Sequence, residues 1–395
     1  MSKMPIKLPI YMDHHATTPV DPRVLSEMMS YFNHDFGNAA SIDHTHGQTA
    51  SKAVETAREK IASSINARPE EIIFTSGATE SDNIAIFGVV EKNVSKGNHI
   101  ITCLTEHKAI LDSCKRLEER GFHVSYLPVD KRGIIDLEKL EKEITKKTIL
   151  ITVMFANNEI GTIAPISEIG KIAKDHQILF HTDAAQAFGH MKIDVRKFNI
   201  NLMSLSAHKM YGQKGIGALY EQRSSPKAEV SPIMYGGGHE RGIRSGTLNV
   251  PGIVGFGKAI EISNKEMKKE NGRTGKWTSK MLAAFRKELN AELNGHETDR
   301  LSHNLNLFIK GIENKALINL VKNDVSISAG SACTTAKVEP SHVIQALGYD
   351  KSRSFSSIRF GLGRFNTNEE IDHVIDHIIE ASMKLQKLKA TSKFE

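Results

Sequence analysis

The sequence predicts an α/β protein with a mostly parallel central sheet, and three observations support this fold class. Short apolar runs at residues 72–74, 99–103 and 149–155 are continuous rather than alternating, as strands buried on both faces are. Segments with helical spacing follow such runs repeatedly between residues 70 and 190. With 395 residues, of which 39% are hydrophobic, the chain is long enough to bury such a sheet.

The order of the elements predicts two domains. An N-terminal arm of residues 1–11 precedes a short strand, a turn and two helices, at residues 22–32 and 48–65. After residue 257 the composition shifts to a long charged helix and then to short mixed elements. We therefore predict a large domain at residues 12–260 and a small α+β domain at residues 261–395, joined by the arm.

The composition also indicates which cellular compartment and which classes of binding partner to expect. No apolar run approaches the length needed to span a bilayer, and Pro5 and Pro9 interrupt the start of the chain, which argues against a secretory signal. The three cysteines form no CxxC pair, which fits a reducing compartment. The net charge of +6 is spread along helices, as solvated faces are. We predict a cytoplasmic protein that binds neither membranes nor nucleic acid directly.

The cysteines lie in different settings. Cys103 lies in an apolar strand pattern and Cys114 in a helical pattern, so both are interpreted as packing residues. Cys333 lies in the run SAGSACTTAK, whose small polar residues show no apolar periodicity. Packing does not explain Cys333, which makes it the candidate for a reactive thiol.

One lysine is placed as a reactive amine would be. Lys209 follows a short predicted strand, and Gly212, Gly215 and Gly217 come after it, so that a tight turn rather than a solvated helix surrounds it. A lysine held in a pocket can act as a nucleophile or form a Schiff base. A solvated loop lysine is the alternative that this stretch alone leaves open.

Other polar residues also follow predicted strands. In parallel sheets, functional residues gather beyond the carboxyl ends of the strands. That rule selects His107, Asn158, Asp183, Gln186, His208 and Lys209. In addition, a strand that passes through Gly77 into a helix near Thr79 exposes backbone amides suited to a phosphate, although Ser and Thr also cap helices without any ligand. The histidines show neither an HExxH pattern nor a Cys/His finger, so no resident metal is expected.

These residues meet the requirements of one cofactor. Pyridoxal phosphate needs a lysine for its imine, a carboxylate for its ring nitrogen and a cradle for its phosphate. Lys209, Asp183 and the turn at residues 77–79 could supply them.

From about residue 11 to residue 385 the sequence resembles the cysteine desulfurases of the NifS/IscS type, group I, within the class V aminotransferase-like family. The resemblance is carried by YMDHHATTPVDPRV, FTSGATESDN, TEHKAI, NNEIGT, HTDAAQ, SAHKMYGQKGIGALY, GGGHERGIRSGTLN, SAGSACTTAKVEPSHVIQALG and SSIRFGLGRF. It implies the fold of the fold type I pyridoxal-phosphate transferases: a mostly parallel seven-stranded sheet flanked by helices, with a smaller α+β domain.

The resemblance also implies a role for each site residue. Lys209 would bind pyridoxal phosphate covalently, with Asp183 at the ring nitrogen, Gln186 at the ring oxygen and His107 stacked on the ring. The residues expected at the phosphate are Ala78, Thr79, Ser206 and His208, with Thr247 reaching the phosphate of the partner subunit. Asn158 and Arg359 would hold the substrate carboxylate, a task that suits the planar guanidinium group.

The implied reaction transfers sulfur. Lys209 would remove the Cα proton of L-cysteine, and the thiolate of Cys333, in a mobile loop at about residues 326–340, would attack the substrate sulfur, which leaves a persulfide and alanine. A proton relay through His107 is one way to form that thiolate. The persulfide would serve iron-sulfur cluster assembly, with tRNA thiolation left open. A homodimer, an iron-sulfur scaffold protein and other sulfur acceptors are the implied partners, and Cys333 would ligate a cluster only transiently, on the scaffold.

Two alternatives differ from this interpretation. A selenocysteine lyase or another β-eliminating enzyme would share the fold but would not require the thiol of Cys333 as a sulfur acceptor. A noncatalytic platform for sulfur-carrier proteins or tRNA would not require Lys209, Asp183, His107 and Cys333 together.

Overall fold

A computed structural model describes residues 6–224, 227–330 and 340–391 of the chain. The α-helices of these parts are α1 (Pro22–Met28), α2 (Ser30–Asn33), α3 (Thr45–Ser64), α4 (Ala78–Asn93), α5 (Lys108–Glu118), α6 (Leu137–Glu143), α7 (Ile166–Asp175), α8 (Val250–Leu289), α9 (Asn314–Val321), α10 (His342–Ala346), α11 (Lys351–Phe355) and α12 (Asn368–Thr391). The strands are β1 (Ile10–Tyr11), β2 (Ile72–Thr75), β3 (His99–Cys103), β4 (His123–Leu127), β5 (Thr148–Thr152), β6 (Leu179–Asp183), β7 (Leu202–Ser206), β8 (Gly217–Glu221), β9 (Glu292–Leu293), β10 (Asn304–Phe308), β11 (Val325–Ser326) and β12 (Ser357–Gly361).

The central sheet has seven strands in the order β2-β8-β7-β6-β5-β3-β4. Strands β3 to β7 pair in parallel, whereas β8 runs antiparallel to both of its neighbours, β2 and β7. The predicted fold class, an α/β protein with a mostly parallel seven-stranded sheet, is confirmed.

Burial on both faces explains the continuous apolar strands. In β2, Ile72 packs in one hydrophobic cluster and Ile73 in another, and in β3 the same alternation places Ile101 and Ile100 on opposite faces. Successive side chains of a strand point to opposite faces, so a sheet covered on both sides needs apolar residues at every position.

A further hydrophobic cluster lies around the smaller antiparallel sheet β12-β10-β9. Helix α8 contributes to this cluster and to one of the two at the large sheet, since Phe256 packs against the large sheet and Phe285 against the small one. The Asn249 side chain caps the start of α8 by accepting a hydrogen bond from the Gly252 amide, and Asn290, with φ of 51°, ends the helix in the left-handed region. The predicted domain boundary at residues 260 and 261 falls within α8 and stays a prediction.

Two helices differ from their predicted bounds. The helix predicted at residues 22–32 consists of α1 and α2, with Met29 between them. Helix α3 starts three residues before the predicted start at residue 48, because the His44 side chain caps it by accepting from the Gly47 amide. In the parts of the chain that the structure describes, no helix combines the length and the apolar character needed to cross a membrane.

Candidate active site

The predicted site residues surround one cavity beyond the carboxyl ends of the parallel strands. The cavity has a volume of about 440 Å³. Its lining includes ten of the residues selected from the sequence: Ala78, Thr79, His107, Asn158, Asp183, Gln186, Ser206, His208, Lys209 and Arg359. Residues from loops that lie far apart in the sequence meet here because parallel strands end at the same edge of the sheet.

Lys209 ends a short 3-10 turn, Ala207–Lys209, that follows β7 directly. Its Nζ donates hydrogen bonds to two backbone carbonyls, at 2.6 Å to His15 O and 2.8 Å to Ala16 O. Its own carbonyl lies 2.9 Å from Nε2 of His190. The amine is therefore held at the cavity by the N-terminal segment, which the sequence did not identify as part of the site.

Asp183 ends β6 and is almost completely buried. Its Oδ1 accepts a hydrogen bond from the Ala185 amide at 2.8 Å. Burial raises the pKa of Asp183, while His107 and Lys209 act in the opposite direction. Burial and the proximity of Asp183 raise the pKa of Asp82 well above its ordinary value, so the two carboxyl groups do not ionise independently.

Both polar atoms of the Gln186 side-chain amide contact His15. Its Oε1 lies 2.9 Å from Nδ1 of His15, and its Nε2 donates to His15 O at 3.0 Å. The His15 ring is buried and stacks on His303 at a centroid distance of 4.6 Å. These contacts fix the orientation of the Gln186 side chain at the cavity.

His107 forms the N-cap of α5, and its Nδ1 accepts a hydrogen bond from the Ala109 amide at 3.2 Å. A ring nitrogen that accepts cannot carry a proton, so the ring proton of neutral His107 lies on Nε2. The cap thus fixes the tautomer of the residue that is predicted to stack on the cofactor.

The expected phosphate cradle has the features that an anion requires. Helix α4 begins at Ala78, directly after Gly77, and a Cβ built on Gly77 would meet open space. The Oγ of Ser206 is buried and has no hydrogen-bond partner among the described residues. A buried hydroxyl without a partner is costly, and a phosphate oxygen would satisfy it. The residues therefore fit the phosphate of pyridoxal phosphate.

The start of β8 and the cradle touch each other. A Cβ on Gly217 would lie 2.7 Å from the Gly77 Cα, so only glycine allows this approach. At the same place, Nδ1 of His208 lies 3.0 Å from Thr17 Oγ1, and burial, with Lys209 and Lys214, lowers the pKa of His208 to about 4. His208 is consequently a neutral hydrogen-bonding group at neutral pH.

Arg359 reaches the cavity from β12 of the smaller sheet and is 1% exposed. Its Nη2 lies 2.7 Å from Asp13 Oδ1, and its Nη1 donates to the Asn158 carbonyl at 2.9 Å. The Nε has no hydrogen-bond partner among the described residues. The guanidinium group is therefore oriented by two fixed acceptors next to the cavity.

Two predicted site residues do not line this cavity. Thr247 is exposed on the glycine-rich loop before α8. Cys333 lies outside the described residues. Cys103 and Cys114 are buried, and burial raises the pKa of each thiol to about 12, which agrees with their interpretation as packing residues. No group of metal-binding side chains occurs within residues 6–224, 227–330 and 340–391.

Sequence reasoning missed several residues that line the cavity. They include His15, Ser76, Lys108, Glu159, Lys214 and His342. Two of them directly follow a residue that was selected: Glu159 follows Asn158, and Lys108 follows His107. Their side chains carried no pattern of their own, but position next to a strand-end residue was a usable signal.

Comparisons with known proteins identify the family. The profile of the family described as Aminotransferase class-V matches residues 10–374. A protein named cysteine desulfurase IscS from Anaeromyxobacter sp. strain Fw109-5 is 50% identical over 388 residues, which cover 97% of this chain and 95% of the relative. A solved structure titled NifS-like protein has a TM-score of 0.88 at 37% identity and covers 94% of this chain and 99% of its own. Another, titled SspA in complex with cysteine, has a TM-score of 0.80 at 37% identity, covering 90% and 99%.

The chain therefore belongs to the aminotransferase class-V family. Within that family, it belongs to the cysteine desulfurases of the IscS and NifS type, which depend on pyridoxal phosphate. The family, the fold and the cofactor expected from the sequence are confirmed.

Proposed function

We propose that this protein removes sulfur from L-cysteine, releases L-alanine and collects the sulfur as a persulfide on Cys333. The observation that carries the proposal is the cavity shared by Lys209, Asp183 and Arg359, which brings an amine, a buried carboxylate and an oriented guanidinium group together. The three groups suit the cofactor imine, the cofactor ring nitrogen and the substrate carboxylate respectively.

The residues around the cofactor form two groups in this proposal. Ala78, Thr79, Ser206 and His208 hold the phosphate. Asp183, Gln186 and His107 hold the ring. Bound there, pyridoxal phosphate supplies an electron sink that weakens the carbon-sulfur bond of the substrate. A charged Asp183 would favour a protonated ring nitrogen.

Substrate binding falls to Arg359 and Asn158. The guanidinium group of Arg359 is already oriented by Asp13 and by the Asn158 carbonyl, so little conformational entropy is lost when it binds a carboxylate. Asn158 lines the same cavity, and its side-chain amide would supply a second donor.

The reaction transfers the Cα proton of the substrate to Lys209 and the substrate sulfur to Cys333. Nζ of Lys209 accepts the Cα proton of the substrate. The Cys333 sulfur forms a bond to the substrate sulfur while the carbon-sulfur bond breaks, and the electron pair of that bond remains on the carbon, which takes up a proton. The sum is cysteine plus thiol giving alanine plus persulfide, and it needs no external oxidant or reductant. His107, with its proton on Nε2, is the proposed proton donor of the cavity.

The proposal also includes the oligomeric state, the sulfur acceptor and the cellular location of the protein. The exposed position of Thr247, outside the cavity of its own chain, supports a homodimer in which this residue contacts the phosphate held by the partner subunit. An iron-sulfur scaffold protein is the proposed sulfur acceptor, and the proposed location is the cytoplasm. The proposed units of the chain remain residues 12–260 and 261–395.

Incubation of the purified protein with pyridoxal phosphate, L-cysteine and dithiothreitol tests the function. We expect equal amounts of alanine and sulfide, and a peptide containing Cys333 that carries one additional sulfur atom by mass spectrometry. Lys209→Ala should form no alanine, and Cys333→Ala should lose the persulfide. Cys114→Ala, which changes a buried packing residue, serves as the control and should retain both products. Sulfide release from Cys333→Ala at the rate of the unaltered protein would exclude Cys333 as the acceptor and favour a lyase.

A further inference from the structure

Gly330 and Ser341 flank the segment that carries Cys333, and both lie against the buried carboxylate of Glu159. Ser341 Oγ donates a hydrogen bond to Glu159 Oε2 at 2.5 Å. On the other flank, a Cβ built on Gly330 would lie 2.7 Å from the same Oε2 and 3.6 Å from Ser341 Cβ. Gly330 also has a φ of 117°, so glycine is required there both for space and for conformation.

The backbone of Glu159 is firmly held. Its amide donates to Asn157 Oδ1 at 2.8 Å, and its carbonyl accepts from the side-chain amides of Asn304 and Asn306 at 3.1 and 3.0 Å. The residue has no exposed surface, and its Oε1 has no hydrogen-bond partner among the described residues. A carboxyl group kept in such a place is costly for stability, which favours a role beyond packing.

The same flanks are also tied to neighbours of the predicted site residues. Ser328 exchanges two backbone hydrogen bonds with Arg359, at 2.8 and 3.3 Å. His342 Nε2 lies 2.9 Å from the carbonyl of Glu106, the residue before His107. The flanks of the segment therefore contact Arg359, which is assigned to the substrate carboxylate, and the neighbour of His107, which is assigned to proton transfer.

We propose that Glu159 is a positioning residue that fixes both flanks of the Cys333 segment beside the cavity, so that the thiol approaches the substrate sulfur from a defined origin. This inference rests on the proposed function and adds a determinant of its sulfur-transfer step. Glu159 does not itself contact the reacting atoms in this role. Its carboxylate acts through Ser341 and through its contact with Gly330.

The proposal predicts a defect in one step of the reaction. Rapid mixing of the holoenzyme with L-cysteine gives two signals: the absorbance change of the bound cofactor, and the persulfide on Cys333 measured by quenching and mass spectrometry. In Glu159→Ala we expect persulfide formation to slow by about 10- to 100-fold, because misplacement of a reacting group by about 1 Å has an effect of this size. The rate of the absorbance change and its half-saturating cysteine concentration should stay within about twofold, since these report on binding.

Two further variants separate positioning from folding. Glu159→Gln keeps an acceptor for Ser341 Oγ and should retain persulfide formation within about threefold of the unaltered protein. Gly330→Ala displaces the carboxylate without removing it and should reproduce the persulfide defect, even if Glu159→Ala does not fold. Glu71→Gln is the matched control, because Glu71 is another fully buried carboxyl, paired with Arg196, and it does not line the cavity. It should leave both signals unchanged.

A measurement without turnover completes the test. Alkylation of Cys333 by iodoacetamide in the absence of cysteine, quantified by mass spectrometry, should become about fivefold faster in Glu159→Ala, because released flanks allow the thiol more positions. The role of Glu159 is overturned if persulfide formation is unchanged in Glu159→Ala, or if the two signals slow equally. Failure of the proposed function looks different: Cys333→Ala would then release sulfide at the normal rate, whatever residue 159 is.

Discussion

The guanidinium of Arg359 and the carboxylate of Asp13 form an ion pair of 2.7 Å, with side chains that are 2% and 17% exposed. The two residues are 346 positions apart in the chain. The pair occupies Nη2 of Arg359, while Nη1 binds the Asn158 carbonyl. The orientation of the arginine therefore depends on a carboxylate that the sequence did not identify.

Loss of this carboxylate should weaken substrate binding. Asp13→Asn should raise the KM for L-cysteine by about tenfold, since a hydrogen bond to a charged group contributes about 1.5 to 3 kcal/mol. Arg359→Ala should raise it further. Neither change should alter the absorbance of the bound cofactor. Steady-state kinetics with Asp130→Asn as control test this, because Asp130 forms its arginine pair, with Arg132, outside the cavity. An unchanged half-saturation in Arg359→Ala would remove that residue from the substrate site.

Ser206→Ala should have opposite effects with and without the cofactor. The Oγ is buried without a hydrogen-bond partner among the described residues, so its removal should stabilise the cofactor-free protein by up to about 1 kcal/mol. The affinity for pyridoxal phosphate should fall by about tenfold, because one phosphate contact is lost. Denaturant unfolding and titration with the cofactor measure the two effects. Ser382→Ala removes another buried hydroxyl without such a partner, outside the cavity, and should change stability only. Unaltered cofactor affinity in Ser206→Ala would exclude the residue from the cradle.

The stability of the protein should fall on mild acidification. Burial lowers the pKa of His14 from 6.5 to about 4, although its hydrogen bond to the Gly361 carbonyl, at 2.8 Å, acts in the opposite direction. The unfolded chain therefore binds the proton first, so the contribution of this residue is complete above pH 6.5, declines as the pH falls to 4, and changes no further below that.

Between pH 6.5 and pH 4, the free energy of unfolding of His14→Asn should therefore fall by roughly 3 kcal/mol less than that of the unaltered protein. Asparagine can still donate to the same carbonyl but does not titrate. Unfolding by urea at several pH values between 7 and 4 checks the expectation. The exposed residue His34 provides the control, and His34→Asn should leave the slope as it is. An identical slope in His14→Asn would show that His14 does not couple folding to pH.

The glycine-rich loop before α8 is attached to α3 by a buried ion pair and to β2 of the large sheet by a hydrogen bond. Arg58 and Glu240 form two hydrogen bonds of 2.7 and 2.8 Å, and Glu240 also accepts from the Phe74 amide. Arg58→Met should lower the free energy of unfolding by about 3 to 5 kcal/mol, because it leaves a buried carboxylate without its partner. Arg116→Met breaks an exposed pair with Glu119 and should change the free energy by less than about 1 kcal/mol. Equal effects in the two variants would contradict this difference.

The sequence predicted the part of the site that follows from sheet topology. Asp183 ends β6, and Lys209 follows the neighbouring parallel strand β7 after a short turn, so the predicted strand before each of them was enough to place both at the same edge. The fold class followed from the continuous apolar runs at residues 72–74, 99–103 and 149–155. The class of cofactor followed from the combination of a lysine, a carboxylate and a phosphate turn.

The contacts that orient these residues could not be predicted in the same way. Asp13 meets Arg359 and Glu159 meets Ser341 only because the N-terminal segment, the small sheet and the loop after β5 converge in three dimensions. No local periodicity reports such long-range contacts. The split between α1 and α2 was missed for a different reason, since the helical pattern runs through Met29 without a glycine or proline.

Two acceptors of the Lys209 amine are main-chain oxygens, those of His15 and Ala16. Point substitution at either position changes a side chain but leaves these oxygens in the chain. The resting position of the amine is thus encoded by the path of the polypeptide, and it can persist through sequence drift at residues 15 and 16 for as long as that path is kept.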